Sequence, residues 1–145
     1  MPDADYFSAA DDESAVAVIE AGGPVRAGLD VIFLKDIDPV DAIARVEAVM
    51  TGCSYQEVSR RPRVGQLLSS EDVDTPFVLT VSDTLCDALV SASGDDVAAA
   101  AEAWSGRGGG VGHDAATAAV VLEALTGLAK RARAADLRLY CWWTL

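Results

Sequence analysis

The plainest hydrophobic rhythm lies in the last third of the chain. Ala118, Val121, Leu122, Leu125, Leu128, Ala129 and Ala132 recur at three- and four-residue intervals. That spacing places them on one face of a 3.6-residue repeat and predicts a long amphipathic helix. Asp114 is its expected N-cap, and Lys130, Arg131 and Arg133 fall in the last turn, where the helix dipole favours cations. The closing segment Leu137–Thr144 is rich in aromatics and β-formers without polar alternation. It predicts a central strand covered on both faces.

Weaker versions of the same two rhythms run through the rest. Tyr6–Ser8 is expected as a short strand or anchored arm, and Asp11, Asp12 and Glu13 load the start of a helix stopped by Gly22-Gly23-Pro24. Val31–Leu34 reads as a strand. Asp38 as N-cap and Pro39 at the first helical position then open a helix. Its apolar face is Ala42, Val46, Val49 and Met50, with Ile43 flanking and Gly52 closing it. Ser54-Tyr55-Gln56-Glu57 is a capping box for one or two further turns. Phe77–Val81 is a strand, and Ser82 caps a helix that buries Leu85, Cys86, Leu89 and Val90. Asp95-Asp96 open an alanine-rich helix ending near Trp104, expected to fold back on its predecessor as an antiparallel hairpin. The fold class is therefore α+β: a small mixed or antiparallel sheet, its C-terminal strand central, with four to five packed helices.

Composition sharpens this picture. With 145 residues, 51% of them hydrophobic, the chain is expected to form one domain over 1–145 with its own core. The formal charge of -12 repels phosphate backbones, so nucleic-acid binding is not expected. It suits a basic protein partner, or serves solubility. Cys53, Cys86 and Cys141 show no zinc-type spacing, and His113 is the only histidine. Reduced thiols, no metal and no cofactor follow as expectations. The acidic N-terminus and the lack of a spanning apolar run point to a cytoplasmic protein without a membrane segment.

Few stretches invite chemistry. Asp36, Asp38 and Asp41 lack the glycine and distal glutamate of a calcium loop, so capping explains them. Arg60-Arg61-Pro62-Arg63 is the densest basic cluster; its guanidinium forks suit an anion or a carboxylate-bearing partner, or pair with the chain's own acids. The glycine-rich run from Gly106 to Gly112 lacks the preceding strand and the Gly-Lys-Ser/Thr ending of a phosphate loop, and reads as a linker. His113 beside it has no accompanying nucleophile. Arg60, Arg61, Arg63, Arg107 and His113 are the candidate anion or partner contacts, and no catalytic set emerges. Trp142 and Trp143 must point to opposite faces of one strand, so at least one is core and the other is a candidate interface aromatic.

Three segments resemble the YfbM-like family of small bacterial proteins of largely unknown function. Leu34-Lys35-Asp36-Ile37-Asp38 leading to Ala48-Val49-Met50-Thr51-Gly52 is similar to that family's lysine-containing segment, helix and closing Thr-Gly. Val78–Leu85 is similar to its strand-then-helix passage, and Leu122–Leu145 to its last helix and aromatic strand. Val40 to Val46 stand where the family usually carries a tryptophan and a histidine. The resemblance implies a compact α+β fold and no active site to transfer. Three functions are compatible with the whole: a non-enzymatic acidic interaction domain, of which an immunity-like protein neutralising a basic toxin is one form; a small anion-binding domain or enzyme using the Arg60–Arg63 and Gly106–Gly112 loops; and a homo-oligomeric structural protein.

Overall fold

The computed structural model describes residues 3–35, 39–68, 76–106 and 115–144. The expected caps at Asp38 and Asp114 and the whole glycine-rich run beyond Gly106 lie outside them. Within the described residues the order is β1 (Asp3–Ala9), α1 (Asp12–Ala21), β2 (Val31–Lys35), α2 (Pro39–Thr51), α3 (Tyr55–Ser59), β3 (Phe77–Thr80), α4 (Asp83–Ser91), α5 (Gly94–Gly106), α6 (Ala115–Ala134) and β4 (Arg138–Thr144). The four strands form one antiparallel sheet in the order β2-β1-β4-β3. The C-terminal strand is central, as its composition predicts. The N-terminal arm is a full seven-residue strand lying between β2 and β4. Six helices stand against the four or five expected, because the capping box at Ser54 completes α3: Ser54 Oγ accepts from Glu57 N at 3.1 Å.

The helices divide unequally between the sheet faces. Ala4, Tyr6, Leu79, Leu139 and Cys141 point into the larger core, where they meet Ile43 and Val46 of α2, Leu85 and Leu89 of α4, Trp104 of α5 and Leu122, Leu125 and Leu128 of α6. Phe7, Val78, Tyr140 and Trp142 point the other way, against Ala15 and Val18 of α1. Every residue of the predicted apolar stripe of α6 is buried. Ile43 is fully part of the core rather than flanking it.

Helix ends are set locally. Asp11 accepts from Ser14 N at 2.8 Å and opens α1. At the other end Gly22, at φ 89°, lets Gly23 N reach back to Val18 O at 2.8 Å. Gly52 closes α2 the same way through Cys53 N to Ala48 O. Asp136, at φ 59°, takes the left-handed position after α6, with Leu137 N bonded to Ala132 O at 2.8 Å. The hairpin expected of α4 and α5 does not form; α5 packs on α6 and α2 instead. Ser93 and Asp96 cap each other reciprocally, Ser93 N to Asp96 Oδ2 at 3.0 Å and Asp96 N to Ser93 Oγ at 3.1 Å. The two-residue link Ala92-Ser93, with Ala92 extended, turns α5 away from α4.

Candidate functional site

The loop that follows α3 gathers most of the polar chemistry in the described residues. Pro62 lacks the amide a helix needs, so α3 stops and the arginines enter an irregular turn in which Arg63 takes φ 67°. That turn is fastened to β3: Thr80 Oγ1 donates to Arg63 O at 2.5 Å, and Gln66 N donates to Thr80 Oγ1 at 3.0 Å. Further bonds from Thr80 N to Gln66 O (2.9 Å) and Leu68 N to Val78 O (2.8 Å) cover the outer edge of β3.

From this anchored turn the three arginines diverge. Arg61 reaches Glu47 on α2, Nη1 to Oε2 at 2.7 Å, and its other nitrogen donates to Cys53 Sγ at 2.9 Å. The carboxylate bond raises the guanidinium pKa further. Arg63 grips Asp12 with both terminal nitrogens, at 2.9 and 2.8 Å. Arg60 caps α3 and is exposed. The cluster therefore does not converge on one anion; two of its members bind the protein's own carboxylates. Arg107 and His113 lie outside the described residues.

Two carboxylates organise what surrounds them. Glu47 has no solvent exposure and also accepts from Thr84 Oγ1 at 2.7 Å and from Ser82 Oγ. A serine beside a buried carboxylate invites comparison with a nucleophile and its base. Ser82 is itself buried, however, and its Oγ accepts from Leu85 N as the cap of α4. Glu47 thus ties α2, the arginine turn and the start of α4 into one polar joint.

Asp12 is the second joint. Besides Arg63 it accepts from Tyr140 Oη at 2.7 Å, linking α1, the turn and the central strand. The Arg63 guanidinium holds the Asp12 carboxyl down to about 2. Burial, reinforced by the bond to Asp12, pushes the Tyr140 phenol up to about 12. The carboxylate in turn raises Arg63. In the sequence Asp12 is one of three acids at a helix start, and nothing near it marks its distant partners.

The aromatic pair divides as strand geometry requires. Trp142 is buried on the α1 side against the backbone of Gly23, and Trp143 is half-buried on the helix side with its ring centroid 5.6 Å from that of Phe77. Neither stands out from the surface. Among the described residues the exposed large hydrophobics are Val25, Phe33 and Val120, and Phe33 on β2, 62% exposed, is the aromatic of the three.

Remaining concavities carry little convergent chemistry. A groove of about 520 Å³ beside α4 and α6 is lined by Asp11, Asp83, Asp87 and Asp136 together with Arg133 and Arg138, and Arg133 is already bound to Asp87. Cys86 opens toward it with its thiol pushed up to about 11 by burial. A second groove of about 550 Å³ between α1 and the sheet is alanine-rich. Among the described residues no three His, Cys, Asp or Glu side chains are placed to hold a metal ion, and no helix is long and apolar enough to cross a membrane.

What the fold and these joints define is an α+β domain with helices on both faces of a four-stranded antiparallel sheet. No protein-family model, curated protein or solved structure matches the chain.

Proposed function

We propose that this protein is a non-enzymatic interaction domain that binds a cationic protein through its acidic surface. An immunity-like protein that neutralises a basic toxin or effector is the concrete form of this reading. The observation that supports it most is how the charges are distributed. Of 11 basic residues, Arg61, Arg63, Arg131 and Arg133 are tied to Glu47, Asp12, Asp30 and Asp87. These pairs cancel internally and leave the full excess of -12 to the remainder of the molecule. A field of that sign steers cationic partners and repels polyanions. The polar joints favour the same reading, since their groups are occupied in holding elements together. The YfbM-like resemblance brings no competing active site.

The test is affinity capture at low ionic strength, identification of what is held, and titration of the purified pair. A cationic partner is expected, with affinity falling at least about tenfold between 50 and 300 mM salt as surface charges are screened. Capture of nothing, or of a partner bound equally well at both salt concentrations, overturns the proposal.

A further inference from the structure

The two edges of the sheet are treated differently. The outer edge of β3 is closed by residues 65–68, through the bonds of Thr80 and Val78 to Gln66 and Leu68. The other edge is β2, which among the described residues pairs with β1 alone. Its register fixes which groups it leaves open. Ser8 N donates to Asp30 O, so Ser8 and Asp30 form a hydrogen-bonded pair. Such pairs alternate along an antiparallel ladder, and the register places Tyr6 with Ile32 and Ala4 with Leu34 as the next two. The main-chain groups of Ile32 and Leu34 are therefore turned toward β1. Those of Val31, Phe33 and Lys35 point outward by the same alternation, and no described residue bonds to the main chain of Val31 or Phe33 there.

Natural edge strands are commonly blunted by proline, bulges, repeated charges or a covering segment. The run Val-Ile-Phe-Leu-Lys has one terminal lysine and no proline, and among the described residues no segment hydrogen-bonds along its outer edge. Phe33, at its centre, is 62% exposed and is the aromatic among the three exposed large hydrophobics of the described residues. The adjacent strand carries Asp3 and Asp5 in its sequence, and the chain as a whole carries -12. A second copy of this chain would bring the same acids, and another -12, against that edge.

We infer that β2 is the docking edge for an extended, cationic segment of the partner, which adds to the sheet as a fifth strand. Main-chain bonds to Val31, Phe33 and Lys35 hold it, the Phe33 ring packs against an apolar side chain of the added strand, and its lysines or arginines face the acidic surroundings. This rests on the reading of the protein as a binder of cationic partners and names the place and form of the contact.

The probe is a ten-residue peptide of alternating valine and lysine, compared with an isomer of identical composition in which every second residue has D chirality. The isomer keeps the charge and composition, but its alternating chirality puts successive side chains on one face, so it cannot divide valine and lysine between the two faces of an added, right-handedly twisted strand. Binding is followed by calorimetry with the full chain and with two variants. Val31→Pro removes an outward amide without touching the β1 ladder, and Phe33→Thr removes the ring while keeping a strand former. Circular dichroism and melting temperature verify that both variants fold. The L peptide is expected to bind and the isomer not; each variant weakens binding about tenfold, the value of one hydrogen bond or one buried ring. Equal binding of both peptides, unaffected by Val31→Pro, overturns the strand-addition inference while leaving the acidic-surface reading intact. So does failure of the L peptide to bind while a cationic protein still binds in a salt-dependent way. A concentration-dependent dimer abolished by Val31→Pro would assign the edge to a second copy and also overturn it. Loss of all salt-dependent binding to cationic proteins removes the underlying reading instead.

Discussion

Tyr140→Phe removes one oxygen atom and should reveal how the central strand is tied to its surroundings. Tyr140 is fully buried, and its hydroxyl donates to Asp12 Oδ1 at 2.7 Å. A hydrogen bond to an ionised acceptor contributes about 1.5 to 3 kcal/mol. The Asp12 side chain is 42% exposed, so water replaces part of what the hydroxyl supplied, and the expected loss is about 1 to 2 kcal/mol at pH 7. Urea unfolding measures it, with the slope unchanged. The pH dependence carries the sharper signature. Asp12 has a folded pKa lowered from 3.8 to about 2, so its contribution is present above pH 4 and disappears as pH falls through 2. That fall corresponds to at most about 2.5 kcal/mol, and to about 1 once solvent screening of the exposed carboxylate is allowed for. Tyr140 is raised from 10.0 to about 12, so its contribution is complete below pH 10 and disappears as pH rises through 12. The gap between wild type and Tyr140→Phe should therefore be widest near neutrality and narrow toward both extremes. A gap below about 0.5 kcal/mol, or one constant from pH 3 to 11, would refute the joint as described.

Other outcomes follow from the same geometry. Glu47→Ala strands Ser82, Thr84 and Arg61 beside a cavity and should destabilise by about 3 kcal/mol, whereas Glu47→Gln keeps the shape and should lose about 1; chemical denaturation separates the two. Asp136→Gly relieves a left-handed residue at φ 59° and should stabilise by about 0.5 kcal/mol, read as a raised melting temperature. Cys141, buried with its pKa raised, and Cys86, raised to about 11, should stay largely unalkylated by iodoacetamide at pH 8 in the native state, which peptide mass spectrometry reports.

Local chemistry made much of this fold legible. Ser54, Ser82, Asp11 and Gly52 cap the helices their sequence neighbourhoods indicate, because a cap is decided within four residues. The stripe on α6 and the aromatic final strand likewise declare their burial. β1 was underread because Asp3 and Asp5 interrupt it with polarity, although Ala4 and Tyr6 are core residues on its inner face. The joints were invisible for a different reason. Glu47 stands 14 residues from Arg61 and 35 from Ser82, and Asp12 stands 128 from Tyr140. No periodicity encodes such pairings. One clue did exist: Glu47 lies four residues after Ile43 on a buried face, where an acid requires partners. Phe33 looked like any strand residue, because a sequence does not state which strand ends at an edge.

The most direct test is amide hydrogen exchange along β2, in the free protein and with the valine–lysine peptide bound. The account predicts rapid exchange at Val31, Phe33 and Lys35 beside slow exchange at Ile32 and Leu34, and protection of the first three when the peptide binds. Uniform protection along β2 in the free protein, or fast exchange at the outward amides that the bound peptide leaves unchanged, would contradict it.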